Sequence, residues 1–262
     1  MSIKQVLWWL VVAGIVGFSF LYPFVKKPMP LVPEPPITPR ESAVAMPDFS
    51  QYEQVSDKKS AFFSYLMPEV ERQNEYIIGL RLKIKAMADE FAQNRQLSPA
   101  DISRLHWLTK EYKVDPNLDI ADQLALLLRR VDVIPADLVL VQAANESAWG
   151  TSRFARKGYN FFGLWCFRPN CGFVPRQRND GAIHEVAKFR NVAHATYTYM
   201  RNLNRHDAYK SLRDIRYRLR QNQLPITGEA LSEGLMQYSE RGEDYIEELQ
   251  QMIKVNREYL SS

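Results

Sequence analysis

Leu138-Val139-Leu140-Val141-Gln142-Ala143-Ala144-Asn145-Glu146-Ser147-Ala148-Trp149-Gly150 sets one carboxyl at the end of an apolar run. The segment from Ala136 to Asn145 reads as a mostly buried helix. Pro135 suits its first turn, and Gly150 supplies its stop. Glu146 then lies in the last helical turn, just ahead of a large aromatic side chain. Two effects raise its proton affinity together. Partial burial disfavours the charged form. The helix C-terminus carries partial negative charge, worth about 0.3–1 kcal/mol against an anion. A carboxyl held protonated near neutral pH suits a general acid for glycoside cleavage. The same local pattern also fits a solvated carboxylate at a frayed helix end.

The residues that follow separate these readings. Positions 146–165 read ESAWGTSRFARKGYNFFGLW. This stretch resembles the signature of the bacterial glucosaminidase domain, glycoside hydrolase family 73. There a catalytic Glu opens an E-S-x-W-G turn, a short helix follows, and an aromatic N-x-F-G segment starts a strand. The matching residues are Glu146, Ser147, Trp149 and Gly150, then Ser152, Ala155 and Arg156, then Asn160, Phe162 and Gly163. Phe189-Arg190 with Tyr197, Tyr199 and Met200 resembles the family's F-R-x-Y segment. Tyr238 through Tyr245, running into Leu249 and Met252-Ile253, resembles its closing element. The likeness covers roughly 135–260.

It implies a lysozyme-like α+β fold, mostly α, with one small β-hairpin lobe, and a peptidoglycan glycosidase with Glu146 as acid. Tyr238 corresponds to the family's cleft tyrosine, whose hydroxyl could orient water or an acetamido group. Trp149 and Phe162 could wall the sugar subsites or support Glu146 from the core. Asn160 is a polar residue in an apolar run and needs hydrogen-bond partners there. Tyr245 is a further substrate-binding candidate. Many family members carry an acid on the first hairpin strand. The corresponding stretch, Val174-Pro175-Arg176-Gln177-Arg178, has none. Glu185 on the second strand is its natural substitute, and Asp180 at the turn is a weaker one. The alternative is assistance by the substrate's own 2-acetamido group.

Charge is uneven. Residues 151–220 hold 15 Lys/Arg against 4 Asp/Glu, and residues 221–262 hold 3 against 8, within a chain of net charge +4. A basic centre suits an anionic polymer. Nucleic acid and peptidoglycan both qualify by charge, and the Glu146 motif selects peptidoglycan. The sequence has no Gly-rich phosphate loop and no nucleophile elbow. His184, His194 and His206 show no metal-ligand spacing, so no cofactor or metal is expected.

Val6 to Val25 is 20 residues without a charge, flanked by Lys4 and Lys26-Lys27. That length suits a membrane span, with Trp8, Trp9 and Tyr22 near its ends. The expectation is an uncleaved signal anchor over residues 1–27 in the inner membrane, with the remainder in the periplasm. Secretion after signal cleavage is the alternative. The Lys26-Lys27 pair favours the opposite orientation, and the location of the substrate decides against it. Seven prolines between Pro28 and Pro47 predict a semi-rigid spacer over 28–57. Helices are expected in 58–132, with the glucosaminidase domain at 133–262.

Cys171 to Arg190 reads as the β-region, with Asn179-Asp180-Gly181 as a hairpin turn. Cys166 and Cys171 bracket a Pro-Asn turn and suit a short disulfide loop in an oxidising compartment. Two cysteines without a nearby His pair are too few for zinc. Two rival functions share these features. One is a lytic transglycosylase or muramidase, which can work with a single Glu. The other is a scaffold that holds glycan without cutting it.

Overall fold

A computed structural model describes residues 5, 8–9, 32–40, 45–175 and 184–260. Pro33–Ser262 form one compact unit. Most of the apolar segment 6–25 lies outside the described residues, among which no helix is long and apolar enough to cross a membrane.

The unit is built on helix α1 (Val55–Asn94). Phe62, Phe63, Leu66, Val70, Ile77, Leu80, Ile84 and Met87 recur at three- and four-residue steps and are buried, as an amphipathic helix against a core requires. Pro68 lies inside α1. An interior proline costs about 3 kcal/mol, and the buried residues on both sides of it offset that. Next come α2 (Pro99–Glu111), capped by the Ser98 side chain, and α3 (Ile120–Arg130). Helix α4 (Ala136–Ser147) follows, with Leu138 through Ala144 buried. A helix buried on nearly every side must sit at the centre of a fold, and α1 packs on α3, α4 and the later helix at Val192–Arg205.

After α5 (Arg153–Gly158) the chain forms β1 (Trp165–Cys166), β2 (Gly172–Phe173) and β3 (Glu185–Ala187). The order is β1-β3-β2, antiparallel throughout. The β-region therefore begins before Cys171, because the disulfide Cys166–Cys171 folds β1 and β2 onto opposite edges of β3. The turn at 179–181, including Asp180, lies outside the described residues. The remaining helices are α6 (Val192–Arg205), α7 (Lys210–Gln221), α8 (Gly228–Ser232), α9 (Glu243–Val255) and α10 (Arg257–Leu260), with 3-10 turns at Asp207–Tyr209 and Glu233–Leu235.

The proline-rich stretch differs from a free spacer from residue 33 onward. The carbonyl of Pro36 accepts from Arg72 and Gln73, and Arg40 pairs with buried Glu69 at 3.0 Å. Prolines have no N–H to donate, so apart from the Ile37 N to Pro35 O bond at 2.8 Å carbonyls such as those of Pro36 and Thr38 are open to Arg72 of α1. Phe49 is then buried against Phe62.

Candidate active site

Helix α4 stops at Ser147, and Ala148, Trp149 and Gly150 all take positive φ, at 50°, 56° and 77°. The stop is therefore earlier than Gly150. Left-handed backbone costs an L-residue roughly 1–2 kcal/mol, so this turn is held by its surroundings. Ser147 Oγ accepts from Gly150 N at 2.8 Å. Gly150 itself packs so closely on Phe49 that an added Cβ would fall 2.3 Å from the ring.

The turn leaves the half-buried Glu146 facing a cleft of about 710 Å³. Its partner is Tyr245 of α9, whose hydroxyl donates to Glu146 Oε1 at 2.8 Å. The same hydroxyl accepts from Gln142 Nε2 at 2.9 Å. Gln142 Oε1 in turn accepts from the buried hydroxyl of Tyr199 on α6. Gln142 lies one helical turn before Glu146, so both face α9. All three bonds run in one direction. A flipped Gln142 amide would take Tyr245's only proton away from Glu146.

Oε1 is thus an acceptor, and a proton on this carboxyl belongs on Oε2. That oxygen lies beside Gly163, where an added Cβ would come within 3.1 Å of it. Burial is the main influence on Glu146 and raises its pKa. The Tyr245 bond pulls the other way, Glu248 adds to the rise, and Arg241 opposes it.

Tyr238 also lines the cleft. Its ring stacks on Tyr245 at 5.7 Å, but its hydroxyl donates to the carbonyl of Phe162 at 2.7 Å. Phe162 lies flat on Tyr199, with ring centres 4.1 Å apart. Of the two candidate tyrosines, Tyr245 touches the carboxyl and Tyr238 fastens the segment opposite it. Among the described residues lining the cleft, Glu146 is the one carboxylate.

The acid at the end of a central helix, the aromatic wall and the disulfide-closed rim lie within a segment that matches a known family. Residues 121–258 match the glucosaminidase family, described as mannosyl-glycoprotein endo-beta-N-acetylglucosaminidase. The chain belongs to the glucosaminidase family. It is similar to Protein bax of Escherichia coli (strain K12), 32% identical over 219 residues that cover 83% of this chain and 77% of that protein. No solved structure matches it.

In this family member the other expected site residues fall in different places. Trp149 is not on the cleft. Its ring packs edge-on against Phe62 and Phe63 at 5.6 and 5.3 Å, with Lys59 Nζ 5.5 Å from its centre. The left-handed turn throws it toward α1, away from the cleft. Asn160 is buried and uses its whole amide. Nδ2 donates to the carbonyls of Leu164 and Ala187, and Oδ1 accepts from Leu164 N. It fixes the segment after α5 to β3.

Glu185 is buried, and its two oxygens accept from the backbone N–H groups of Asn170 and Gly172 at 3.0 and 2.7 Å. It ties down the loop closed by Cys166 and Cys171 and is absent from the cleft lining. The two sulfurs and this carboxylate lie within 4.8 Å of one another, but the sulfurs are bonded to each other. The aromatics at the cleft rim are Trp165 and the exposed Phe167 of that loop.

Gln142 and Tyr199 were missed as site residues. A signal for Gln142 was present, since it is the single polar residue between Leu138 and Ala144 and needs partners there. Tyr199 belongs to the stretch that resembles the family's F-R-x-Y segment, but a tyrosine on an apolar helix face reads as packing, so nothing local gives it a site role.

Proposed function

We propose that this glucosaminidase is a peptidoglycan hydrolase that cleaves the β-1,4 bond after N-acetylglucosamine, with Glu146 as general acid. The observation that carries the reading is the half-buried Glu146 carboxyl, held by Tyr245 at the edge of an aromatic-lined cleft. Burial keeps it protonated to higher pH than an ordinary carboxyl, which is what protonating a glycosidic oxygen requires.

The second role falls to the substrate. Glu185 spends its oxygens on loop N–H groups, which makes it a positioning residue for the rim. The 2-acetamido carbonyl oxygen attacks C1 as Oε2 of Glu146 gives its proton to the leaving oxygen. Water then opens the cyclic intermediate and returns a proton to Glu146. Placement in the periplasm, with residues 1–27 as an inner-membrane anchor, belongs to the same proposal.

The test is digestion of purified peptidoglycan by the full chain, with products reduced by borohydride and read by mass. Products reduced at N-acetylglucosamine are expected. That Glu146 is the one carboxylate among the described cleft residues also favours a second reading, a lytic transglycosylase, and 1,6-anhydro ends would establish that instead. Binding without any product would retire the enzymatic reading in favour of a scaffold.

Gly163→Ala adds a test of the acid's placement. The new methyl meets Oε2, and the backbone sits at φ 63°. Displacement of a catalytic group by this much lowers kcat by about ten- to a hundredfold. The protein should still fold, with the left-handed alanine costing about 1–2 kcal/mol. An unchanged kcat would mean that Oε2 is not the donating oxygen.

A further inference from the structure

The cleft has a second wall with a chemistry that acid catalysis does not use. On α6, Thr198, Arg201, Asn202 and Arg205 fall at three- and four-residue intervals and share one face. All four line the cleft, with Lys113 beside them. Among the described residues five cations line the cleft against the one carboxylate of Glu146.

Arg201 is partly matched. Its Nη1 bonds Glu111 at 2.8 Å and its guanidinium lies over the Tyr197 ring, yet its buried Nε has no hydrogen-bond partner. Arg205 has less. Its Nε is buried without a hydrogen-bond partner. Burial and Arg201 disfavour the Arg205 charge, and Glu111, though felt there, gives its ion pair to Arg201.

The usual structural use for an arginine in a last helical turn is to satisfy the terminal carbonyls. Other residues already do this for α6. Arg130 donates to the carbonyl of Arg205 at 2.8 Å, and Arg213 donates to those of Leu203 and His206 at 2.9 and 2.7 Å. A half-buried guanidinium with spare donors, beside another arginine, is costly unless an anion completes it. A neutral sugar offers hydroxyls but no charge, whereas a carboxylate matches the planar fork of arginine.

We propose that this face of α6 is a subsite for a carboxylate carried on the glycan, with Arg205 as its main contact and Arg201, Asn202 and Lys113 beside it. The inference rests on the peptidoglycan reading and adds the group that the cleft recognises besides the sugar ring. Two sources share this chemistry, namely the lactyl carboxylate of muramic acid and the carboxylates of an attached peptide.

The test is calorimetric binding by the full chain carrying Glu146→Gln, so that nothing is turned over. Three tetrasaccharides serve as probes: neutral chitotetraose, a peptidoglycan fragment stripped of peptide, and the same fragment with its peptides. At low salt at least one carboxylate-bearing fragment should bind about tenfold tighter than chitotetraose, and the gap should shrink as salt screens the charge. A gap at the stripped fragment assigns the lactyl group. A further gap at the intact fragment assigns the peptide.

Adding Arg205→Gln should reduce the gap to about threefold or less. Lys113→Gln, on an exposed side chain, should narrow it too and covers the case that the arginine variant does not fold. Equal binding of all three probes would overturn the subsite while leaving the glycan reading intact, as would a gap that both variants preserve. Binding of none would overturn both.

Discussion

Replacing Glu146 with Gln should lower peptidoglycan turnover by about 10²- to 10⁴-fold, the contribution of a well-placed general acid, while leaving the protein folded and more stable at neutral pH. The two effects have one cause. The glutamine keeps an oxygen to accept from Tyr245, so the chain Tyr199–Gln142–Tyr245 retains its terminus. It removes a carboxyl whose pKa is raised by burial.

A raised carboxyl pKa means that the folded state binds its proton more tightly than the unfolded chain does. That contribution is fully present below the unfolded pKa and is lost as pH rises through the folded one. Melting temperatures of wild type and variant should therefore coincide in acid and separate toward pH 7, with the variant higher. The alkaline limb of the wild-type kcat/KM profile, which reports the free enzyme, should fall at the same raised pKa. A variant less stable than wild type at pH 7 would mean that Glu146 is ionised and favourably paired, and the acid role would fall with it.

The second large effect lies away from the cleft. Arg216→Met should destabilise the protein by about 3–5 kcal/mol, as expected when one member of a buried charged network is removed. Arg216 is 1% exposed. Its guanidinium donates to the carbonyls of Arg129, Arg130, Asp132 and Val133 and to Asn204 Oδ1. The four carbonyls belong to the end of α3 and the turn that leads into α4, and Asn204 lies on α6, so one side chain of α7 sets the angle at which α4 enters the core.

Burial lowers the Arg216 pKa to about 9, still above neutral, and Asp132 opposes the fall. Asp132 is bonded twice by Arg220 at 2.7 and 2.9 Å, and Arg81 brings α1 to it at 3.5 Å. Arg216→Lys should restore little, since one ammonium cannot serve acceptors arranged for a planar fork. Urea denaturation of the three proteins measures this. A loss below about 1 kcal/mol, the worth of a single ordinary hydrogen bond, would mean that the turn keeps its shape without the arginine.

The Asp132 pKa is lowered, with desolvation the largest single influence and the arginine contacts together outweighing it. Its contribution is present above the unfolded carboxyl pKa and is lost as pH falls through the folded one. Acid should thus weaken this turn even though it favours protonated Glu146.

Legibility in the sequence followed the range of the interactions. The helices at 55–94, 99–111, 120–130 and 136–147 could be read because apolar spacing and caps such as Ser98 act within a few residues. The Cys166–Cys171 loop could be read because its ends are close in sequence. Strand β1 left no periodic pattern, since two residues paired across a sheet are too few for one, and only the likeness of Asn160, Phe162 and Gly163 to a family strand start pointed toward it. The docking of residues 33–49 could not be read, because it depends on Arg72, Gln73 and Glu69 of α1 meeting open carbonyls.

By itself, the sequence determined that a lone carboxyl ends the central apolar helix and that a glucosaminidase motif follows it. Local periodicity and residue spacing carry both. Only the tertiary structure decided what surrounds that carboxyl. Three left-handed residues turn Trp149 onto α1. Two N–H groups draw Glu185 to the rim loop. Tyr245 takes the bond to Glu146 while Tyr238 holds Phe162. Each outcome depends on which buried polar group meets which partner across 13 to 99 residues of chain, a choice made by packing that no local pattern encodes.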